Sequence, residues 1–254
     1  MSAECERLFG VAEQMVPPLR TRLEASTIGI AQTLRPWVRN GLVDAADSLI
    51  DVSEEVGNSV IWEAEEDDLD AGNLIKAAAQ KLESDFGVLD VLVNNAGISG
   101  KEEVSRENFH TVFDTNVFST MLLTQALEHL LRKSRDPRII NVSSVLGSIT
   151  VRNDHSSPYT QVTGETYRVS KAALNMVTGI QAYKYKEWEH PAKVWSFCPG
   201  FVVTNLTGED KQSKIDRGAE SSETSAQGIT EIVRGDRDDE VNQFLAKRGE
   251  VLPW

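Results

Sequence analysis

The chain has 254 residues, 40% of them hydrophobic and 26% charged, proportions that exclude wholesale disorder and fibrous architecture. Its formal net charge of −13 argues against a nucleic-acid partner, because such binders concentrate Lys and Arg to displace counterions from phosphates. Two cysteines and four histidines without ligand spacing leave no basis for a disulfide framework or a His/Cys metal centre. In chain order, the apolar spacing Ala45, Leu49, Val52, Val56 predicts a helix over 44–56, and Val60, Ile61 and Trp62 a strand over 59–63. A helix over 71–86 comes next, stopped by Gly87, then a strand over 89–93, a long helix over 109–133, a strand over 138–142, a helix over 166–188 and a strand over 193–197. Such alternation implies right-handed crossovers and a parallel sheet covered on both faces. The expected fold is therefore a single α/β domain with a doubly wound, Rossmann-like parallel sheet spanning residues 1–254.

The charge is unevenly placed. Residues 40–75 hold eleven Asp and Glu and no Lys or Arg, which reads as a solvated acidic face. No apolar run approaches the ~18 residues of a membrane span. The first residues lack the basic flank and apolar stretch of a secretory signal, so the cytosol is the expected compartment.

In doubly wound sheets ligands sit beyond the carboxyl ends of the strands. Asn94-Asn95-Ala96-Gly97, Ser143-Ser144 and Cys198-Pro199-Gly200 come directly after three of the predicted strands and should line one crevice. Tyr167 and Lys171 lie four residues apart on one side of a helix. A phenol with an unperturbed pKa of ~10 needs a downward shift of about 3 units for acid/base work near neutral pH, and a nearby ammonium acts in that direction. Taken alone the pair is also what an exposed helix surface provides. Ser144, at a strand tip, could bond the same substrate oxygen that Tyr167 protonates, or simply end its strand in a turn. Asn116 interrupts an apolar helix, where it could hold a water or carbonyl beside Lys171 or serve as a satisfied core amide.

Together these residues resemble the short-chain dehydrogenase/reductase family over residues 59–254. The resemblance is carried by Asn94-Asn95-Ala96-Gly97, Asn116, Ile140-Asn141-Val142-Ser143-Ser144, Tyr167 with Lys171, and Pro199 to Thr204, in the family's order. It implies an NAD(P)-dependent oxidoreductase acting on a small carbonyl or alcohol substrate. Tyr167 would be the general acid/base, Lys171 the residue that lowers its pKa and binds nicotinamide ribose, Ser144 the carbonyl-orienting hydroxyl and Asn116 the residue completing a proton relay. Asn94 and Gly97 would form the adenosine-ribose turn, Val202 and Thr204 the nicotinamide carboxamide contacts, and Asp67 the partner of the adenine amine. NADP is the expected cofactor, with NAD possible, and no metal is required. The family also implies a homo-oligomer formed through the helices over 109–133 and 166–188, and no membrane or nucleic-acid partner.

Two segments bear on substrate. Between Ser144 and Tyr167 lie 22 residues, about ten more than the simplest family members carry, and the extra stretch 152–164 reads as a loop at the pocket rim, as in the carbonyl-reductase-like branch. Residues 205–220 occupy the place of the family's substrate lid. Trp195, Pro253 and Trp254 read as packing residues.

Residues 1–58 depart from the pattern. The family's glycine-rich turn lets a pyrophosphate approach the backbone, yet no glycine occurs between Gly10 and Gly29. Residues 10–16 are the positional candidate for the first strand, Gly29 for the end of the turn before its helix, and Trp37 and Val38 for the second strand. Arg35 and Arg39 could meet a 2′-phosphate. A divergent cofactor site, a non-catalytic relative used for binding, and a misassigned reading frame each account for this segment. A sugar-nucleotide epimerase or dehydratase shares the Tyr/Lys pair, but the Asn-Asn-Ala-Gly tetrad speaks against it.

Overall fold

The alternation of apolar side chains along the central strands decides the architecture. In the computed structural model, which describes residues 28–31, 59–60, 71–101, 103–204, 206–207 and 210–254, seven strands form one sheet. They are β1 (Ile28–Ala31), β2 (Ser59–Val60), β3 (Val91–Asn94), β4 (Arg138–Val142), β5 (Lys193–Cys198), β6 (Phe244–Ala246) and β7 (Val251–Leu252), in the spatial order β2-β1-β3-β4-β5-β6-β7. All pairings are parallel except β6 with β7. Leu92, Ile139 and Val194 point to one face, where they pack with Leu82, Leu127, Leu130 and Tyr185. Val93, Ile140, Trp195 and Phe197 point to the other, against Ile232 and Val233. Successive residues alternate between faces, so strands apolar at every position must be covered on both sides, which is the doubly wound arrangement.

The covering helices are α1 (Ala71–Asp85), α2 (Arg106–Phe113), α3 (Ser119–Leu131), α4 (Ile149–Asn153), α5 (Glu165–Tyr185), α6 (Lys211–Asp216) and α7 (Ser222–Arg234). The long helix expected over 109–133 starts earlier, because Ser105 caps it by accepting from the Asn108 amide at 3.2 Å. It is also divided: Asp114–Phe118 forms a π-helical turn between α2 and α3. Helix α7 and strands β6 and β7 had no counterpart in the sequence reading. Strands of three and two residues are too short for periodicity to register.

Trp195 is fully buried, and the Trp254 ring stacks on Phe244 with centroids 5.5 Å apart, so both are packing residues as expected. Gly29 does not end a turn before a helix; it lies inside β1, in register with Leu92 of β3. The strand expected at 10–16, the second strand at Trp37 and Val38, and Arg35 and Arg39 all lie outside the described residues. Among the described residues no helix is long and apolar enough to cross a membrane, and no cluster of His, Cys, Asp and Glu could hold a metal ion.

Candidate active site

Parallel register brings Asn94, Val142 and Cys198 to the same edge of the sheet, and the site is built on the segments that leave these strand ends. Beyond β4, Ser143 and Ser144 part company. Ser143 is buried and donates to Asn175 Oδ1 at 2.6 Å, and Ser196 donates to the same oxygen at 2.8 Å, so Ser143 ties β4 and β5 to α5. Ser144 caps the short turn Val145–Gly147, its Oγ accepting from the Leu146 amide at 3.2 Å, and its hydroxyl acts on the Tyr167 phenol. The turn lies directly on α5. A Cβ at Gly147 would stand 2.5 Å from the Lys171 carbonyl carbon, so only glycine lets Ser144 approach the tyrosine this closely.

Helix α5 carries Tyr167, Ser170 and Lys171 in its first turns. It begins at Gly164, whose φ of +99° supplies a left-handed bend at the end of the preceding loop. Lys171 is 3% exposed, and its Nζ donates to the Val142 carbonyl at 2.8 Å. Burial lowers its pKa to about 8, the nearby Cys198 opposing the shift. Tyr167 behaves differently from the expectation that Lys171 makes it acidic. Burial of the phenol pushes its pKa up, the Ser144 hydroxyl pulls it down, and the neighbouring Cys198, once ionised, raises it further. The ammonium lies 5.6 Å from the Tyr167 ring centroid and spends a proton on Val142, so desolvation prevails. Tyr167 is protonated at neutral pH in this structure.

Asn116 sits in the π-helical turn, wholly buried. Its Oδ1 accepts from the Ile98 amide, and its Nδ2 donates to the Ile98 carbonyl and to Ser170 Oγ, each at 2.9 Å. Ser170 in turn donates to the Tyr167 carbonyl at 2.7 Å. Both amide protons and one lone pair of the oxygen are thus engaged within the fold, and the side chain pins the loop after β3 to α5. A Cβ at Gly97 would lie 3.3 Å from Lys171 Nζ and 3.4 Å from Asn116 Oδ1, so these three residues are neighbours.

The Asn94 side chain is turned inward. Its Nδ2 donates to Asn141 Oδ1 at 2.8 Å and to Thr124 Oγ1 at 3.2 Å, and Asn141 passes the chain on to Thr178 and Gln181. This buried amide ladder stiffens the sheet beneath the site, and Asn94 Oδ1 is buried without a hydrogen-bond partner. Val202 bridges to Glu220, whose amide and carbonyl pair with Phe201 and Val203. The Thr204 carbonyl accepts from Lys214 at 2.6 Å, and Ser99 Oγ donates to the Leu206 carbonyl at 2.8 Å. Leu206 is thereby fastened to the loop after β3, and Thr204 to α6. Asp67 lies outside the described residues.

The sequence reading missed Ser170 and Arg168, and it set Cys198 at a strand end lining the crevice without giving the thiol a role. Ser170 could have been noticed as a weak helix former in an otherwise regular helix. Cys198 is free and buried at the tip of β5, where its Sγ accepts from the Val145 amide at 3.1 Å. Burial raises its pKa. The chemistry available is a protonated phenol, a hydroxyl that acts on it and a desolvated ammonium, a set able to deliver one proton and to bond oxygen atoms of a ligand.

Comparison with known proteins agrees with this fold and motif order. The short chain dehydrogenase family model matches residues 42–215. Short-chain dehydrogenase anuI of Penicillium roqueforti is 38% identical over 159 residues, 60% of this chain and 62% of that protein. Short-chain dehydrogenase/reductase tropE of Talaromyces stipitatus is 34% identical over 189 residues, 68% of this chain and 69% of that protein. Among solved structures, a carbonyl reductase from chicken fatty liver superposes with a TM-score of 0.70 at 25% identity, covering 90% of this chain and 99% of that one. The chain belongs to the short-chain dehydrogenase family.

Proposed function

We propose that the protein is an NAD(P)-dependent oxidoreductase that interconverts a carbonyl and a secondary alcohol. The observation that carries this reading is the gathering of Ser144, Tyr167 and the buried Lys171 at one place, the Lys171 ammonium 5.6 Å from the Tyr167 ring centroid and the Ser144 hydroxyl acting on its phenol. The nicotinamide group supplies the hydride. Burial keeps Tyr167 protonated, which suits it to give its proton to the alkoxide oxygen as negative charge develops there. Ser144 orients the carbonyl oxygen and stabilises the same charge. Its own Oγ is held by the Leu146 amide, so little reorganisation is needed. Lys171, now bonded to the Val142 carbonyl, would turn an Nζ–H toward the cofactor's ribose, and its positive charge would then ease deprotonation of Tyr167 in the oxidative direction.

The chicken carbonyl reductase is bound to NADPH, which supports NADP over NAD. The backbone of Gly97, close to Lys171 and Asn116, and the segment from Val202 to Thr204 are the proposed cofactor contacts on the described side of the crevice, with Asp67 at the adenine end. We further infer a cytosolic homo-oligomer. Phe118, Met121 and Leu122 near the start of α3 and Met176 and Ile180 on α5 are exposed, an apolar surface of the kind that marks a self-association face.

Fluorescence titration with NADPH and NADH, followed by assay of ketone reduction, tests the proposal. Saturable binding with NADPH preferred and Tyr167-dependent turnover are expected. Absence of binding of either nucleotide overturns it.

A further inference from the structure

The residue next to the proposed acid is a buried guanidinium. Arg168 is 9% exposed, and among the described residues no carboxylate bonds to it. All its hydrogen bonds go to main-chain carbonyls: Nη2 donates to Tyr159 at 2.6 Å and to Val162 at 2.9 Å, Nε to Val162 at 3.2 Å, and Nη1 to Leu146 at 3.3 Å. One planar fork therefore joins three pieces of chain. They are the turn after Ser144, the loop between α4 and α5, and the helix that carries Tyr167. A second guanidinium reinforces the loop, Arg152 Nη1 donating to the Thr160 carbonyl at 2.9 Å. Burying a cation without a hydrogen-bonded carboxylate is costly, and the Glu165 carboxylate acts on Arg168 only through its charge.

The loop so gripped leads into the helix of the proposed acid: its last residue, Gly164, caps α5 three residues before Tyr167, and Arg168 ties it to Leu146, two residues after Ser144. The Tyr159 ring on this loop is partly exposed.

We propose that Arg168 is a positioning residue that fixes residues 154–164 as one wall of the substrate pocket and so determines which carbonyl substituents the Ser144–Tyr167 pair accepts. This rests on the reading of Tyr167 as the acid. A substituent large enough to lie against Tyr159 draws binding energy from a wall already in place, whereas a methyl group does not reach it. Lysine cannot replace the guanidinium, because a point cation reaches one carbonyl where the fork reaches three.

The experiment compares 1-phenylpropane-1,2-dione with butane-2,3-dione, which share a reacting dicarbonyl and differ in a phenyl group. Arg168→Lys and Arg168→Met should raise KM for the phenyl dione about tenfold or more while kcat for both diones and KM for butanedione stay within about threefold. Hydrogen exchange at residues 159–164 should quicken about tenfold in both variants, with α3 and α7 unchanged. An equal loss of kcat for the two diones overturns the proposal, since Arg168 would then only support the helix of Tyr167. Unchanged exchange in the loop overturns it as well. Failure of wild-type protein to reduce either dione, or full activity in Tyr167→Phe, strikes the underlying enzymatic reading instead.

Discussion

Asn116 Nδ2 donates to Ser170 Oγ at 2.9 Å, a bond that ties the π-helical turn of one helix to the first turns of the helix bearing Tyr167 and Lys171. Because Ser170 donates its own proton to the Tyr167 carbonyl, the amide acts on the tyrosine through the backbone. Asn116→Ala leaves the Ile98 amide and carbonyl without their partner, and a destabilisation of about 3 kcal/mol is expected from the unsatisfied buried groups. Chemical denaturation of the variant beside wild type checks this, and a change below about 0.5 kcal/mol would show that the amide carries little of the local order.

Tyr167→Phe removes the proton donor and the partner of Ser144 while keeping the ring. Turnover is expected to fall at least about 100-fold, the usual worth of a positioned acid, with NADPH affinity changed only a few-fold. Steady-state assay and nucleotide titration of the same preparation separate the two effects.

Lys171 makes stability depend on pH in a defined window. Its folded pKa, about 8, lies below its ordinary 10.5, so between those values the unfolded chain binds more protons than the native one, and stability rises with pH. The penalty for burying the ammonium is fully present below pH 8 and is relieved as pH climbs toward 10.5. Lys171→Met should therefore be most favourable relative to wild type at pH 7, its advantage shrinking by a few kcal/mol by pH 10. Denaturation at pH 7, 8.5 and 10 reads the difference directly; a constant gap would contradict the assignment.

At the opposite end of the sheet, Arg138 is buried and bonds Asp136 at 2.5 Å and Asp238 at 2.6 Å, with Lys193 joining both carboxylates. Burial alone would raise the pKa of each aspartate, but hydrogen bonds from Arg138 and Lys193 outweigh it and hold both below the ordinary carboxylate value. Their contribution is present above about pH 4 and is lost as pH falls through the depressed values. Arg138→Met should cost about 3 kcal/mol at pH 7, and the variant should show a shallower loss of stability than wild type between about pH 4.5 and about pH 2.5. Denaturation midpoints across the acid range test both statements.

The exposed apolar surface leads to a prediction about assembly. Met176 is 65% and Ile180 50% exposed on α5, and Met176→Glu with Ile180→Glu should convert the proposed oligomer to monomer in sedimentation velocity without unfolding it. A wild-type monomer would remove the basis of that inference.

Much of the fold was legible because the sheet is covered on both faces. The run Arg138–Val142 and its counterparts at β3 and β5 are mostly apolar, bounded by turn residues and separated by helical spacing, so strands and helices announced themselves. The π-helical turn was not legible, since Asp114–Phe118 contains no proline or glycine; its cause is Asn116 reaching across to Ile98 and Ser170, a contact 18 and 54 residues away in sequence. The grouping of Ser144, Tyr167 and Lys171 could be read from motif order. The sign of the Tyr167 shift could not, because it depends on how little water reaches the phenol. Nor could the inward turn of Asn94, which sequence position alone does not distinguish from an outward one. Arg168 looked like any solvated helix charge, and only its three carbonyl partners show otherwise.

The grip of Arg168 falls on oxygens that every amino acid possesses. Mutation along the rim can therefore swap one side chain for another without loosening the clasp, and the shape of the opening can diversify among descendants while the proton-transfer geometry behind it stays as it was. In this architecture recognition is free to evolve faster than chemistry.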